Sequence, residues 1–353
     1  MAAADIPDST APDLVEYVRL GKTGLRVSRV CLGCMAFGSS KWQKWVLDKD
    51  ESLPVIKRAY DLGINFFDTA DAYSNGQSEL ILGEALRRYN IPRDQVVIAT
   101  KVYFPVSEDI GVNTLSRGED DPSLINRSGL SRKHIFEAVE ASLKRLGVSY
   151  IDLYQIHRFD YNTEIEETME ALNDLVRMGK VRYLGASSMY CWQFAKMNHV
   201  AELRGWSKFV TMQNFYNLLY REEEREMIKY CTAEGIAVLP WSPLARGLLA
   251  HAGATDKPSL RANTDAALKR WFPKESEEDG MILDRVKQLA AKRGVATAVV
   301  ALAWLLGGHK TSMGVGEGKG VSAVIAGVTK PQLSIKLYAF PNGLCSLNCF
   351  LLI

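Results

Sequence analysis

The chain has no excess of either charge: 43 Lys and Arg stand against 41 Asp and Glu, for a net charge of +2. A nucleic-acid binder usually carries a basic stripe, so that class of partner is not expected. No apolar run is long enough to cross a bilayer, which takes about 20 residues, so no membrane partner is expected either. The opening MAAADIPDSTAP holds two Asp and no Lys or Arg, unlike a secretory or transit leader. Residues 1–15 therefore read as a disordered arm, and the expected location is cytoplasmic. Cys349 stands fifth from the end, where a prenylation box needs a cysteine in fourth place. Cysteine is sparse, six in 353 residues. Cys31 and Cys34 form a CxxC, but in the apolar segment RVCLGCM, so both read as buried thiols and no metal is expected. A glycine fingerprint for dinucleotides is also missing. The first strand runs into GCMAFGSS, and the run Gly314–Gly320 matches neither GxGxxG nor a phosphate-binding loop.

What is present is regular alternation. After a short hairpin (VEYVRL, a turn at Gly21–Gly24, LRVS) come eight strand-like segments: RVCLG, INFFD, VVIAT, IDLYQIH, VRYLGAS, FVTMQ, IAVLP and VSAVIAG. They are apolar nearly throughout, as strands buried on both faces of a parallel sheet are. Amphipathic segments lie between them, among them SLPVIKRAYDLG, SELILGEALRRY, RKHIFEAVEASLKRLG, IEETMEALNDLVRMGK, REEEREMIKYCTAEG and MILDRVKQLAAKRG. Most end at or near a Gly or a basic residue, as helix C termini prefer. Eight strands alternating with helices predict an α/β fold, a (β/α)8 TIM barrel with an N-terminal β-hairpin. The charge run Arg221–Glu226 reads as the solvated first turn of a helix. Two connections, Val102 to about Ser131 and about Pro240 to Gly280, are long enough to be lids or binding loops.

Asp68 and Tyr73 follow the second barrel strand, Lys101 closes the third and His157 the fourth. The C-terminal ends of neighbouring barrel strands converge at one mouth. The four suit carbonyl reduction. Tyr73 can donate a proton, Lys101 can ease its release, Asp68 can hold Lys101 charged, and His157 can orient the carbonyl. Taken singly, each has a plainer reading: Asp68 as a helix cap, Tyr73 as a loop anchor, Lys101 as a strand-end charge and His157 as a core histidine.

INFFDTADAYSNGQSELILGEAL, the Lys of VVIATK and the His of DLYQIHR resemble the signatures of the aldo-keto reductase family. KVRYLGASSM, MQNFYNLLYREEE and LPWSPLARGLL resemble its fifth, sixth and seventh strands. The resemblance spans roughly residues 16 to 331 and implies a barrel domain there. It implies Asp68, Tyr73, Lys101 and His157 as the catalytic tetrad and NADPH as cofactor. Ser187, Ser188 and Gln213 would meet the nicotinamide amide, and Trp241 would stack on its ring. Ser242, Leu244 and Arg246 would line the pyrophosphate, and Gly327, Thr329 and Lys330 would approach the 2′-phosphate. The expected activity is reduction of a small-molecule aldehyde or ketone, in the setting of fungal secondary (polyketide) metabolism. A cofactor-binding regulatory protein on the same barrel, or a Schiff-base lyase using Lys101, would be the alternatives. Trp42, Tyr103, Phe104, Phe159, Trp271 and Phe272 could form an apolar substrate pocket, or pack as lids. The segment 332–353 departs from the family: it has no acidic residue, no clear amphipathic repeat and a Pro341-Asn-Gly break. That end is expected to leave the barrel less stable and NADPH less tightly held than a family-like end would. The sequence gives no oligomeric state.

Overall fold

A computed structural model describes residues 15–116, 122–250, 260–265, 268, 276–307 and 320–329. Strands β1 (Tyr17–Arg19) and β2 (Arg26–Ser28) pair antiparallel, with Tyr17 opposite Ser28. Then follow β3 (Val30–Gly33), β4 (Phe66–Asp68), β5 (Val97–Val102), β6 (Ile151–Ile156), β7 (Val181–Ser187), β8 (Phe209–Gln213), β9 (Ala237–Val238) and β10 (Val324–Gly327). These eight are parallel neighbours in the order β10-β3-β4-β5-β6-β7-β8-β9. Parallel bridges Val238–Val321 and Trp241–Ile325 bring the β9 and β10 segments together, with Ser322 N donating to Val238 O and Ile325 N to Pro240 O. The sheet thus closes on itself as the predicted barrel.

Helices α1 (Lys49–Asp61), α2 (Gln77–Arg88), α3 (Arg132–Leu146), α4 (Ile165–Arg177), α5 (Cys191–Arg204) and α6 (Met227–Glu234) each follow a strand. A short α7 (Leu260–Thr264) precedes α8 (Glu277–Arg293) and α9 (Thr297–Leu306). Local chemistry sets the ends. The Ser131 hydroxyl accepts from His134 N at the start of α3, and Gly147 closes that helix at φ 68°. Thr297–Leu306 gives no amphipathic signal because it is apolar all round, and nine of its ten residues are buried. Among the described residues no single helix is long and apolar enough to cross a membrane.

Alternation along the strands divides the core in two. Leu20, Val27, Cys31, Phe66, Val97, Ala99, Leu153, Ala237, Leu239, Ala323 and Ile325 form one cluster, which fills the barrel interior and includes hairpin residues. Phe67, Ile98, Tyr154, Ile156 and Leu184 belong to the larger cluster between sheet and helices. Cys31 and Cys34 are buried and free, and burial pushes both thiols up.

Candidate active site

The period of two that sends Phe66, Ala99 and Leu153 inward sends Asp68, Lys101, Gln155 and His157 inward one or two steps further along the same strands. All four are buried. Lys101 Nζ donates to Asp68 Oδ2 at 2.6 Å, to Thr69 O at 2.8 Å and to Tyr73 Oη at 3.3 Å. An ammonium has three protons, and each has an acceptor. Lys101 is therefore a held charge, which counts against the Schiff-base reading. Burial works against that charge, but Asp68 and Tyr73 outweigh it and lift the Lys101 pKa above its usual value.

Tyr73 lies in a tight turn whose next two residues, Ser74 (φ 48°) and Asn75 (φ 52°), are left-handed. Gly38 makes room for that turn, since a Cβ there would meet Ser74 Oγ at 2.1 Å. Tyr73 Oη accepts from Lys101, which leaves its own proton for another acceptor. Burial raises the Tyr73 pKa and outweighs the opposing pull of Lys101. Lys101 thus moderates a phenol that burial keeps protonated. His157 packs edge-on to Tyr73, with ring centroids 5.8 Å apart, and its Nδ1 is buried without a partner. Burial first, then the Arg158 and Lys101 charges, hold its pKa well below the usual histidine range, so the imidazole is neutral.

Two glutamines fix Asp68 from behind. Gln155 Nε2 and Gln213 Nε2 donate to Asp68 Oδ1 at 3.0 and 2.9 Å, and Gln213 Nε2 also lies 3.0 Å from Gln155 Oε1. Gln155 does not figure among the sequence candidates, although its place two residues before His157 on the same strand puts it on the inward face. Ser187 Oγ donates to Gln213 O at 2.7 Å. Ser188, left-handed at φ 52°, accepts from Trp241 Nε1 at 3.1 Å, and its N–H donates to Asn214 Oδ1 at 3.1 Å. Trp241 packs on Phe215 at a 30° tilt, with centroids 4.6 Å apart. Ser242 O accepts from Asn217 Nδ2, and Leu244 is half-buried. The Arg246 guanidinium forks onto Asp265 at 2.9, 2.9 and 2.6 Å, so its side chain already has a carboxylate partner. Gly327 is exposed and in register with Gly33. Thr329 follows it half-buried, and Lys330 lies outside the described residues.

Of the candidate pocket residues, Phe104 meets His157 edge-on at 5.0 Å and Tyr103 at 5.1 Å. Phe159 pairs with Tyr161 at 5.0 Å and Trp192 at 6.4 Å. Trp42 is buried in the core; Trp271 and Phe272 lie outside the described residues. The solvated-turn reading of Arg221–Glu226 holds for Arg221, Glu222, Arg225 and Glu226, which are exposed, and is corrected for Glu223 and Glu224. Glu222–Glu224 form a separate 3-10 turn ahead of α6. Within it, half-buried Glu223 accepts from Asn214 Nδ2 and Glu224 accepts from the Tyr216 hydroxyl at 2.8 Å. The run thus braces the Asn214 side chain that holds Ser188.

Burial raises the Glu223 pKa to about 6, with Asn214 opposing. A carboxyl raised in the folded state stabilises it fully below the unfolded pKa, and that contribution is lost as pH rises through the folded pKa. Glu223→Gln, neutral at every pH and still able to accept from Asn214, is expected to exceed the parent in stability by about 1 kcal/mol at pH 7.5. Near pH 4.5 the two should coincide. Urea denaturation at both pH values checks this; equal stabilities at pH 7.5 would dismiss it.

Residues 29–335 match the model of the Aldo/keto reductase family. The versiconal hemiacetal acetate reductase of Aspergillus parasiticus is 54% identical over 295 residues, 83% of this chain and 85% of that protein. The aldo-keto reductase AMT2 of Alternaria alternata is 52% identical over 299 residues, covering 82% and 80%. The aldo-keto reductase dtxS3 of Metarhizium robertsii is 49% identical over 307 residues, covering 85% and 83%.

Proposed function

This chain belongs to the aldo-keto reductase family and is an oxidoreductase, and on that premise we propose that it reduces an aldehyde or ketone with NADPH, Tyr73 supplying the proton. The observation that carries the reading is the buried Asp68–Lys101–Tyr73 chain with neutral His157 beside it. The substrate carbonyl accepts hydrogen bonds from the Tyr73 hydroxyl and the His157 N–H. As negative charge grows on its oxygen, Tyr73 gives up its proton, and Lys101 stabilises the phenolate left behind. Asp68, held by Gln155 and Gln213, keeps Lys101 charged and aimed. Phe104 packs on the histidine, and Tyr103 packs on Phe104.

The residues present suit NADPH, which when bound supplies hydride. The indole of Trp241 is fixed by Ser188 and Phe215, giving a flat apolar wall for a flat ring. After Leu244 (φ −101°), the backbone turns left-handed at Ala245 (φ 47°) and Arg246 (φ 55°). That right-to-left succession shapes a backbone concavity suited to anions. Ser187, Ser188, Gln213, Ser242, Leu244 and Arg246 would hold the nicotinamide and pyrophosphate, with Gly327, Thr329 and Lys330 at the 2′-phosphate. The similarity to the versiconal hemiacetal acetate reductase supports a role in fungal polyketide metabolism, and a cytoplasmic location is proposed with it.

A panel of aldehydes, ketones and polyketide-type quinones, followed by loss of NADPH absorbance, tests the reading. NADPH should be used with a lower KM than NADH, and Lys330→Met should narrow that gap, because cations near the ribose favour the extra phosphate. No turnover across the panel would reject the activity. Equal KM values for the two cofactors in the unmodified chain would reject the NADPH preference.

A further inference from the structure

Arg158 follows His157 and carries a charge that the proton relay does not use. Its guanidinium lies over the Phe104 ring, 5.5 Å from the centroid, and Nη1 donates to the His157 carbonyl at 2.6 Å. The charge reaches Tyr73, Tyr103 and His157. Other cations of the barrel mouth have carboxylates: Lys101 has Asp68, and Arg246 and Arg261 share Asp265. Arg158 has none among the described residues. The nearest acid in sequence, Asp160, is buried and committed elsewhere. Its oxygens accept from Leu130 N at 2.6 Å, Asn162 N at 2.9 Å and Thr163 Oγ1 at 2.8 Å.

Arg158 is half-buried, and a guanidinium drawn partly out of water gains from a carboxylate partner. Here one nitrogen is used on a neutral carbonyl, and among the described residues nothing else is shown on the fork. The guanidinium lies over Phe104, and Phe104 also touches the histidine that orients the carbonyl. The arrangement therefore offers a flat two-pronged donor beside the reacting centre, with aromatic walls at Tyr103 and Phe104. A guanidinium fork matches a planar oxyanion better than any other ligand class.

We propose that Arg158 is a substrate-binding residue that recognises an anionic oxygen, a carboxylate or an ionised phenol, on the same aromatic substrate whose carbonyl is reduced. The assignment rests on the reductase reading for the second half of that statement and stands without it for the first. The anionic substituent docks on the fork, its ring lies against Phe104, and the carbonyl is delivered to Tyr73 and His157.

Two measurements test it. In the first, 3-carboxybenzaldehyde is compared with its methyl ester, and salicylaldehyde with its methyl ether above the phenol pKa. The acid-to-ester ratio of kcat/KM is taken in the unmodified chain, in Arg158→Met and in Arg158→Lys. The ratio should fall roughly 10- to 100-fold in R158M, the range for a hydrogen-bonded charge, and R158K should recover part of it. The two substrate pairs show whether carboxylate or phenolate is the better ligand. In the second, benzoate and neutral benzamide are titrated calorimetrically into the full chain, with and without NADP+. Benzoate should bind the unmodified chain more tightly than R158M, and benzamide should not distinguish them. Arg158-dependent benzoate binding without any turnover would uphold the anion site and sink the reductase reading. Turnover with an unchanged acid-to-ester ratio, together with benzoate binding indifferent to R158M, would overturn the anion site and leave the reductase standing. A circular dichroism melt of each variant shows that it is folded.

Discussion

Tyr73→Phe is expected to lower kcat/KM for carbonyl reduction by about 100-fold or more, the usual range for a positioned proton donor, while NADPH affinity and thermal stability stay near those of the parent. The first effect follows from chemistry: the ring remains, and only the hydroxyl that would protonate the alkoxide is lost. The second follows from geometry. Lys101 loses its longest hydrogen bond, 3.3 Å, and keeps those to Asp68 and Thr69. Steady-state kinetics with a fluorescence titration of NADPH separates the two. A Phe variant that keeps more than a tenth of kcat/KM would limit the hydroxyl to less than about 1.4 kcal/mol and move the proton donor elsewhere.

Lys101→Met should fail in both respects. Removing one member of a buried ion pair strands the other, at a typical cost of 3–5 kcal/mol, and the Asp68 and Lys101 side chains are 3% and 0% exposed. Gln155 and Gln213 still donate to Asp68, so the stability loss should fall at the lower end, about 3 kcal/mol. Adding Asp68→Asn to K101M should restore at least half of that stability, because the stranded charge is gone, without restoring turnover. Chemical denaturation and kinetics on the two variants decide. A K101M chain as stable as the parent would mean that Asp68 is neutralised by other means, and the held-ammonium account would fall.

The eight strands were readable because each is a short β-rich apolar run between turn residues, and the structure places a strand in each. The hairpin was readable from Gly21 and Gly24. Asp68, Lys101 and His157 were readable as candidates because each closes a strand at the barrel mouth, and Tyr73 because it follows Asp68 in DTADAY. Period two along the fourth barrel strand could also have found Gln155. It was missed because a glutamine suggests no chemistry until its partner, Asp68, is known to be 3.0 Å away. Glu223 was misread for a related reason. A run of charges resembles a solvated turn unless one knows that Asn214 lies across from it. Thr297–Leu306 lacked the polar face on which helix recognition depends. The expected oddity of residues 332–353 and the roles of Lys330, Trp271 and Phe272 fall outside the described residues.

The hairpin has a consequence for the order in which the chain assembles. Leu20 and Val27 pack in one cluster with Leu239, Ala323 and Ile325, and Lys22 N donates to Gly235 O at 3.0 Å. Gly21 approaches that backbone so closely that a Cβ would meet Gly235 O at 2.7 Å. The first strands to leave the ribosome are tied to near residues, Tyr17 Oη donating to Gly63 O and Ser28 N to Asn65 Oδ1, 46 and 37 positions later, and also to residues made more than 200 positions later. Until those last residues arrive, the floor that Leu20 and Val27 cover is incomplete. Contacts so distant in sequence slow folding, because a long loop must close before any contact rewards it. The hairpin can therefore settle early on the first barrel strands, but its cover of the barrel floor is completed only when Leu239, Ala323 and Ile325 join it.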